Sequence, residues 1–153
     1  MPAPPVIHHH PAHHPSTKPP LLFIHGGYSN AALWGVRFIP YFQNQGYDCY
    51  ALELSGHGSR PADRAHLDDF GIDDYVADLA AAVASLPAVP VLIAHSMRCL
   101  VCQRFLERGT ARAVAFLAPV PPTGTGGTAG RFALTMPDFF AELPNAVNGT
   151  ASE

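Results

Sequence analysis

Four short apolar runs limit what this chain can become. They are Leu21–Ile24, the stretch around Cys49–Leu52, Val89–Ala94 and Ala113–Leu117. Each lacks the polar alternation of a half-exposed strand, so each predicts a strand covered on both faces. Longer stretches with helical spacing separate them. In 72–86, Ile72, Tyr75, Val76, Leu79, Val83 and Leu86 share one face. Asp73, Asp74 and Asp78 load the start of that stretch, where the helix dipole favours carboxylates, and Pro87 ends it. Residues 99–108 repeat the pattern with Leu100, Val101, Phe105 and Leu106, and Gly109 closes it. A further helix is expected over 34–42, with Pro40 bending or restarting it. This alternation predicts an α/β fold, a mostly parallel sheet with flanking helices and right-handed crossovers.

The third run leads directly into chemistry. Val91-Leu92-Ile93-Ala94 is followed by His95-Ser96-Met97 and at once by a helical pattern. A serine on such a strand-to-helix turn has its hydroxyl exposed, the layout of a nucleophile elbow. Ser96 is therefore the candidate nucleophile, although a serine there can also simply cap the helix. An acyl-transfer transition state needs N–H groups aimed at its oxyanion. The backbone N–H groups of Met97, at the helix start, and Gly27, after the first strand, are the candidates. Gly26-Gly27 can alternatively be no more than a tight turn.

Serine attacks only with a base in reach, and neither base nor acid is identifiable. The nine histidines are His8, His9, His10, His13, His14, His25, His57, His66 and His95, and none follows Ser96. Glu107, Asp138, Glu142 and Glu153 are the later carboxylates, none in a position that supports a role. His66 lies in a polar loop, and His95 is expected to pack beside the turn.

Taken together, these segments resemble the alpha/beta-hydrolase family, with serine esterase and lipase-like members the nearest in pattern. Leu21-Leu22-Phe23-Ile24-His25-Gly26-Gly27 resembles its oxyanion loop. Trp34 and Pro40-Tyr41-Phe42 resemble the helix that follows. Gly46 to Leu52, continuing to Gly56-His57-Gly58-Ser59, resembles its fourth strand and Gly-His-Gly-x-Ser loop, with Arg60 in place of the serine. Ala94-His95-Ser96-Met97 resembles its Gly-His-Ser-Met elbow. The resemblance makes His25 and His57 structural loop residues.

The likeness spans about 20–122 and implies the N-terminal half only of that fold: family strands 3 to 6, in the order 4-3-5-6. Residues 1–20 are then a disordered leader, 21–122 a partial core, and 123–153 the start of a cap or a flexible tail. The family's triad runs Ser, Asp or Glu, then His, and the last two have no counterpart here. Arg98 stands where the family keeps a small residue, so its guanidinium must find solvent or push the elbow open.

Three readings follow. The chain is a truncated homologue with a degenerate elbow and little or no activity alone. Or it is a serine carboxylic-ester hydrolase acting on a small apolar substrate, with an unusually supplied base. Or it is a non-enzymatic module that self-associates through the exposed edge of Ala113–Leu117.

Composition narrows the partners. Net charge is -3 with both signs mixed, which gives no basic face for nucleic acid. No apolar run approaches the ~20 residues of a membrane span. Residues 1–20 hold five histidines among seven prolines, a composition that predicts no regular element and no signal peptide. Cys49, Cys99 and Cys102 make no disulfide framework or zinc site, which points to the cytoplasm, and nothing calls for a cofactor or metal.

Overall fold

The computed structural model describes residues 5–27, 29–57 and 70–120. The chain divides into two compact units, 1–119 and 120–153, and the structure described is that of the first. Gly58, Ser59, Arg60, His66, Asp138, Glu142, Glu153 and the segment 123–153 lie outside the described residues.

Five strands form one sheet: β1 (Val6–His10), β2 (Leu21–Ile24), β3 (Cys49–Glu53), β4 (Val91–His95) and β5 (Ala113–Leu117). Their order is β1-β3-β2-β4-β5. Among the described residues three helices flank it, α1 (Phe38–Asn44), α2 (Ile72–Ser85) and α3 (Arg98–Leu106), with a 3-10 turn over Ala31–Gly35. The expected four-stranded, mostly parallel sheet is thus corrected to a mixed sheet of five strands. The additional strand, β1, pairs antiparallel with β3, from Val6 opposite Glu53 to His10 opposite Cys49.

That strand lies inside the segment expected to be a disordered leader. Its prolines bound the run Val6–His10 without interrupting it, so every residue of the run keeps its N–H for the ladder. Its histidines also find partners on β3 and just before it. His9 stacks on Tyr50 with ring centroids 4.4 Å apart. His8 lies 3.6 Å from the Glu53 carboxylate, and His9 the same distance from Asp48. The chain beyond β1 is tied down as well: Ala12 donates its N–H to Asp48 at 2.9 Å, and Gln43 donates to the Pro11 carbonyl at 2.8 Å.

The sheet has an apolar layer on each face. On one, Leu22, Ile24, Leu52, Leu92 and Ala94 pack under Leu79 and Ala82 of α2 and Val101, Cys102 and Phe105 of α3. On the other, Leu21, Phe23, Ala51 and Ile93 pack under Trp34 and Ile39. The β2 side chains are buried on both faces, as its unbroken apolar run requires. Ile72, expected on the buried face of α2, is largely exposed, while Tyr75 and Asp78 are buried. Pro40 falls in the first turn of α1, where a missing N–H costs no hydrogen bond, so the expected single helix is a 3-10 turn followed by α1. All three cysteines are free and buried. Burial pushes the Cys49 and Cys102 thiols up to about 12.

Candidate active site

The parallel strands β2, β4 and β5 end together at one edge of the sheet, and the candidate residues sit there. Ser96 is the residue after β4. Its φ is +57°, a left-handed conformation that non-glycine residues rarely adopt. The strain is held from both sides. Ser96 donates its N–H to the Leu117 carbonyl at the end of β5, at 2.9 Å, and its own carbonyl accepts from Cys99 N–H at 3.1 Å. One residue in αL between a strand and a helix is the conformation that turns a serine side chain outward. It also answers the capping alternative, because the N-cap of α3 is Met97 and makes no side-chain cap.

Gly26 and Gly27 follow β2 and reach the same turn. A Cβ on Gly26 would stand 2.7 Å from His95 Nδ1 and 3.4 Å from Ser96 Cβ, so only glycine fits this approach. A Cβ on Gly27 would stand 3.6 Å from the Met97 side chain. Ser96, Gly27 and Met97 are therefore brought together from two separate strand ends. The Gly26–Gly27 peptide is anchored on its carbonyl side: Gly26 O accepts from His25 Nδ1 at 2.8 Å and from Ser29 N–H and Oγ–H at 3.4 and 3.3 Å. In a trans peptide the N–H points opposite to the carbonyl, so these bonds also fix the direction of Gly27 N–H.

His25 and His57 brace this loop. His25 is fully buried; its Nδ1 donates to Gly26 O and its Nε2 accepts from Leu54 N–H at 3.4 Å. Burial lowers its pKa to about 4, with the Gly26 carbonyl pulling the other way. His57 Nδ1 lies 2.9 Å from Ser55 O, and Nε2 lies 3.1 Å from Gly27 O. Asp78 holds the Ser55 turn through its N–H at 2.7 Å and its hydroxyl at 3.1 Å.

Arg98 takes neither route expected of it. It is 1% exposed, yet Ser96 keeps its elbow conformation. The physical reason is a cleft between α3, α2 and the loop after β3. There the guanidinium lies 3.9 Å over the Tyr75 ring, and Nη2 is 3.2 Å from His57 Nε2. Nε and Nη1 remain buried without a partner. Burial lowers the guanidinium's pKa, while Tyr75 and the Asp78 carboxylate act in the opposite direction. Sequence reasoning passed over Tyr75 and Asp78 as parts of this arrangement. Their i, i+3 spacing on α2 was the available signal, since it puts an aromatic face and a carboxylate on one side of the helix.

Among the described residues no histidine or carboxylate is hydrogen-bonded to the Ser96 hydroxyl. Glu107 is turned away on α3 and pairs with Arg104 at 2.6 Å. His95 packs its ring against Gly26, and its Nδ1 is buried without a partner. No group of three or more His, Cys, Asp and Glu among the described residues could hold a metal ion. Beside the elbow lies an apolar cavity of about 520 Å³, lined among others by Leu33, Trp34, Val36, Phe38, His95 and Leu117.

The model of the alpha/beta hydrolase fold family matches residues 19–151. The chain belongs to this family. The match runs far past residue 122 and corrects the expectation of an N-terminal half alone, and with it the reading of the chain as a truncated, degenerate homologue. No curated protein matches the chain.

Among solved structures, it is similar to a putative non-heme bromoperoxidase, BpoC, from Mycobacterium tuberculosis H37Rv. The TM-score is 0.66 and the identity 19%, over 88% of this chain and 49% of that one. A monoacylglycerol lipase from Paleococcus ferrophilus gives 0.65 and 18%, over 88% and 53%. A bromoperoxidase from Bacillus anthracis gives 0.60 and 26%, over 78% and 42%. The chain spans about half the length of the solved structures it matches. The fold is that of the serine-hydrolase superfamily, and its described residues assemble no Ser-His-Asp triad. No helix among them is long and apolar enough to cross a membrane.

Proposed function

We propose that Ser96 is the nucleophile of an acyl-transfer site for small, apolar, ester-like molecules, with the N–H groups of Gly27 and Met97 as its oxyanion donors and the base that takes its proton supplied by a partner chain or an unusual internal residue. The observation that carries this reading is the left-handed φ of Ser96 at the junction of β4 and α3. A non-glycine residue held there by two backbone hydrogen bonds is strained at a cost of ~1–3 kcal/mol, and such strain concentrates at functional sites. The anchoring of Gly26 O supports the second part, because it pre-aims Gly27 N–H before any substrate arrives. The mostly apolar lining of the cavity beside His95, with Arg37 its one charged residue among those described, suits an acyl or alkyl group. A lipase among the similar folds agrees with this substrate class. A reducing compartment such as the cytoplasm suits three free, buried cysteines.

The test is hydrolysis of short p-nitrophenyl esters by the purified chain, together with covalent labelling by a fluorophosphonate. The expected result is turnover above buffer and a label on Ser96, both abolished in Ser96→Ala. Turnover that survives Ser96→Ala unchanged overturns the reading.

Self-association through β5 is a further part of the proposal. Among the described residues β5 pairs only with β4, and its Ala113, Ala115 and Phe116 are exposed. A concentration-dependent dimer by sedimentation is expected, and a charged substitution such as Ala115→Lys should dissolve it. A monomer at all concentrations removes this part.

A further inference from the structure

We infer that Arg98 is a positioning residue: it keeps Nε2 of His57 free of a proton and thereby withholds that nitrogen from the Gly27 carbonyl.

The argument is a hydrogen-bond count. His57 Nε2 faces two groups at nearly equal distance, Arg98 Nη2 at 3.2 Å and Gly27 O at 3.1 Å. A guanidinium has five N–H donors and no acceptor, and a carbonyl only accepts. One nitrogen cannot serve both. With a proton on Nε2, His57 donates to Gly27 O but turns an N–H toward a cation that is 1% exposed and already has two partnerless nitrogens. With a lone pair on Nε2, it accepts from Nη2 of a buried cation whose Nε and Nη1 have no partner. An unpaired buried charge costs more than one unmet carbonyl, so Arg98 takes the nitrogen. The proton then sits on Nδ1, where it meets the Ser55 carbonyl at 2.9 Å. The Ser55 turn is itself fixed by Asp78, and Tyr75 lies against both the His57 ring and the Arg98 guanidinium.

The consequence falls on the loop beside Ser96. The Gly26–Gly27 peptide keeps its anchors on His25 and Ser29, but the following carbonyl, Gly27 O, has no donor on His57. Removing the guanidinium removes the demand for a lone pair on Nε2, so the single proton of the neutral imidazole can pass from Nδ1 to Nε2 and its donated bond from Ser55 O to Gly27 O, which holds the loop from its second side.

The experiment is a ring-nitrogen 15N spectrum of His57, assigned by loss of its signals in His57→Gln, at one fixed pH. In the unsubstituted chain and in Arg98→Lys, Nε2 is expected at the shift of an unprotonated nitrogen. In Arg98→Met, which keeps the length of the side chain, Nε2 is expected at the protonated shift. A protonated Nε2 in the unsubstituted chain, or an unprotonated one in Arg98→Met, overturns the inference. Should Arg98→Met fail to fold, Arg98→Leu carries the same expectation and the same overturning result.

The effect on reactivity rests on the reading of Gly27 as an oxyanion donor. Fluorophosphonate labelling of Ser96 should then be faster in Arg98→Met by roughly 2- to 10-fold, the worth of one hydrogen bond. A moved proton with an unmoved labelling rate would count against Gly27's role and leave the role of Arg98 standing.

Discussion

The Gly26–Gly27 turn and the start of α3 meet at Ser96, and each buries one nitrogen-rich side chain, with opposite results. His25, on the glycine side, has a partner for each ring nitrogen and is kept uncharged, its pKa lowered by burial to about 4. Arg98, on the helix side, brings a charge into the interior against a ring nitrogen of His57 and the Tyr75 side chain, and leaves two of its own nitrogens without partners. Burial as such does not separate the two, since both side chains are nearly inaccessible. Satisfaction does. A neutral imidazole with both nitrogens met braces a loop, whereas a guanidinium with two nitrogens unmet competes for a neighbour's nitrogen. The elbow therefore rests on one firm side and one contested side.

The largest test of this contrast is His25→Ala. It removes both bracing hydrogen bonds and leaves a hole beneath the loop, with an expected loss of about 3–4 kcal/mol by denaturant unfolding. A loss near zero would mean that His25 only fills space.

The pH dependence comes next. Unfolded, the His25 imidazole titrates near 6.5; folded, at about 4. Between these values the unfolded state binds a proton that the folded state refuses. This contribution is therefore complete above pH 6.5 and lost as the pH falls toward 4, by about 3 kcal/mol in total. Unfolding curves at several pH values should show a steeper slope in the unsubstituted chain than in His25→Ala, where the partly buried His10 still contributes.

A smaller change of opposite sign is expected for Arg98→Met. Exchanging a poorly satisfied buried charge for a long apolar side chain should raise stability by about 1–2 kcal/mol. A loss instead would show that the contacts to Tyr75 and His57 repay the burial, and the contrast with His25 would fail.

The smallest effect sharpens the shared boundary. Ser96→Gly frees the left-handed φ of its Cβ penalty and should stabilise by up to about 1 kcal/mol while removing fluorophosphonate labelling.

The parts with a local cause are legible in the sequence alone. The apolar runs around Leu21–Ile24, Cys49–Leu52 and Val91–Ala94 announce strands because strands covered on both faces have no polar alternation; Ala113–Leu117 carries the same signal, yet its Ala113, Ala115 and Phe116 are exposed among the described residues. The small-His-Ser-Met turn announces the elbow because few sequences leave a strand for a helix so abruptly. The Val6–His10 strand was hidden, since its stability comes from stacking on Tyr50, from carboxylates on β3 and just before it, and from an otherwise unpaired β3 edge. None of that is visible in a proline- and histidine-rich leader.

Only tertiary structure decided the fate of Arg98. One residue from a serine elbow, an arginine has no local partner, and sequence logic sends it to solvent. Its position depends instead on an aromatic ring 23 positions earlier in the chain and on a loop histidine 41 positions away. The strand end and the glycine turn could be recognised one at a time, because each is a backbone property. How a buried charge is met is a property of the neighbours that folding assembles around it.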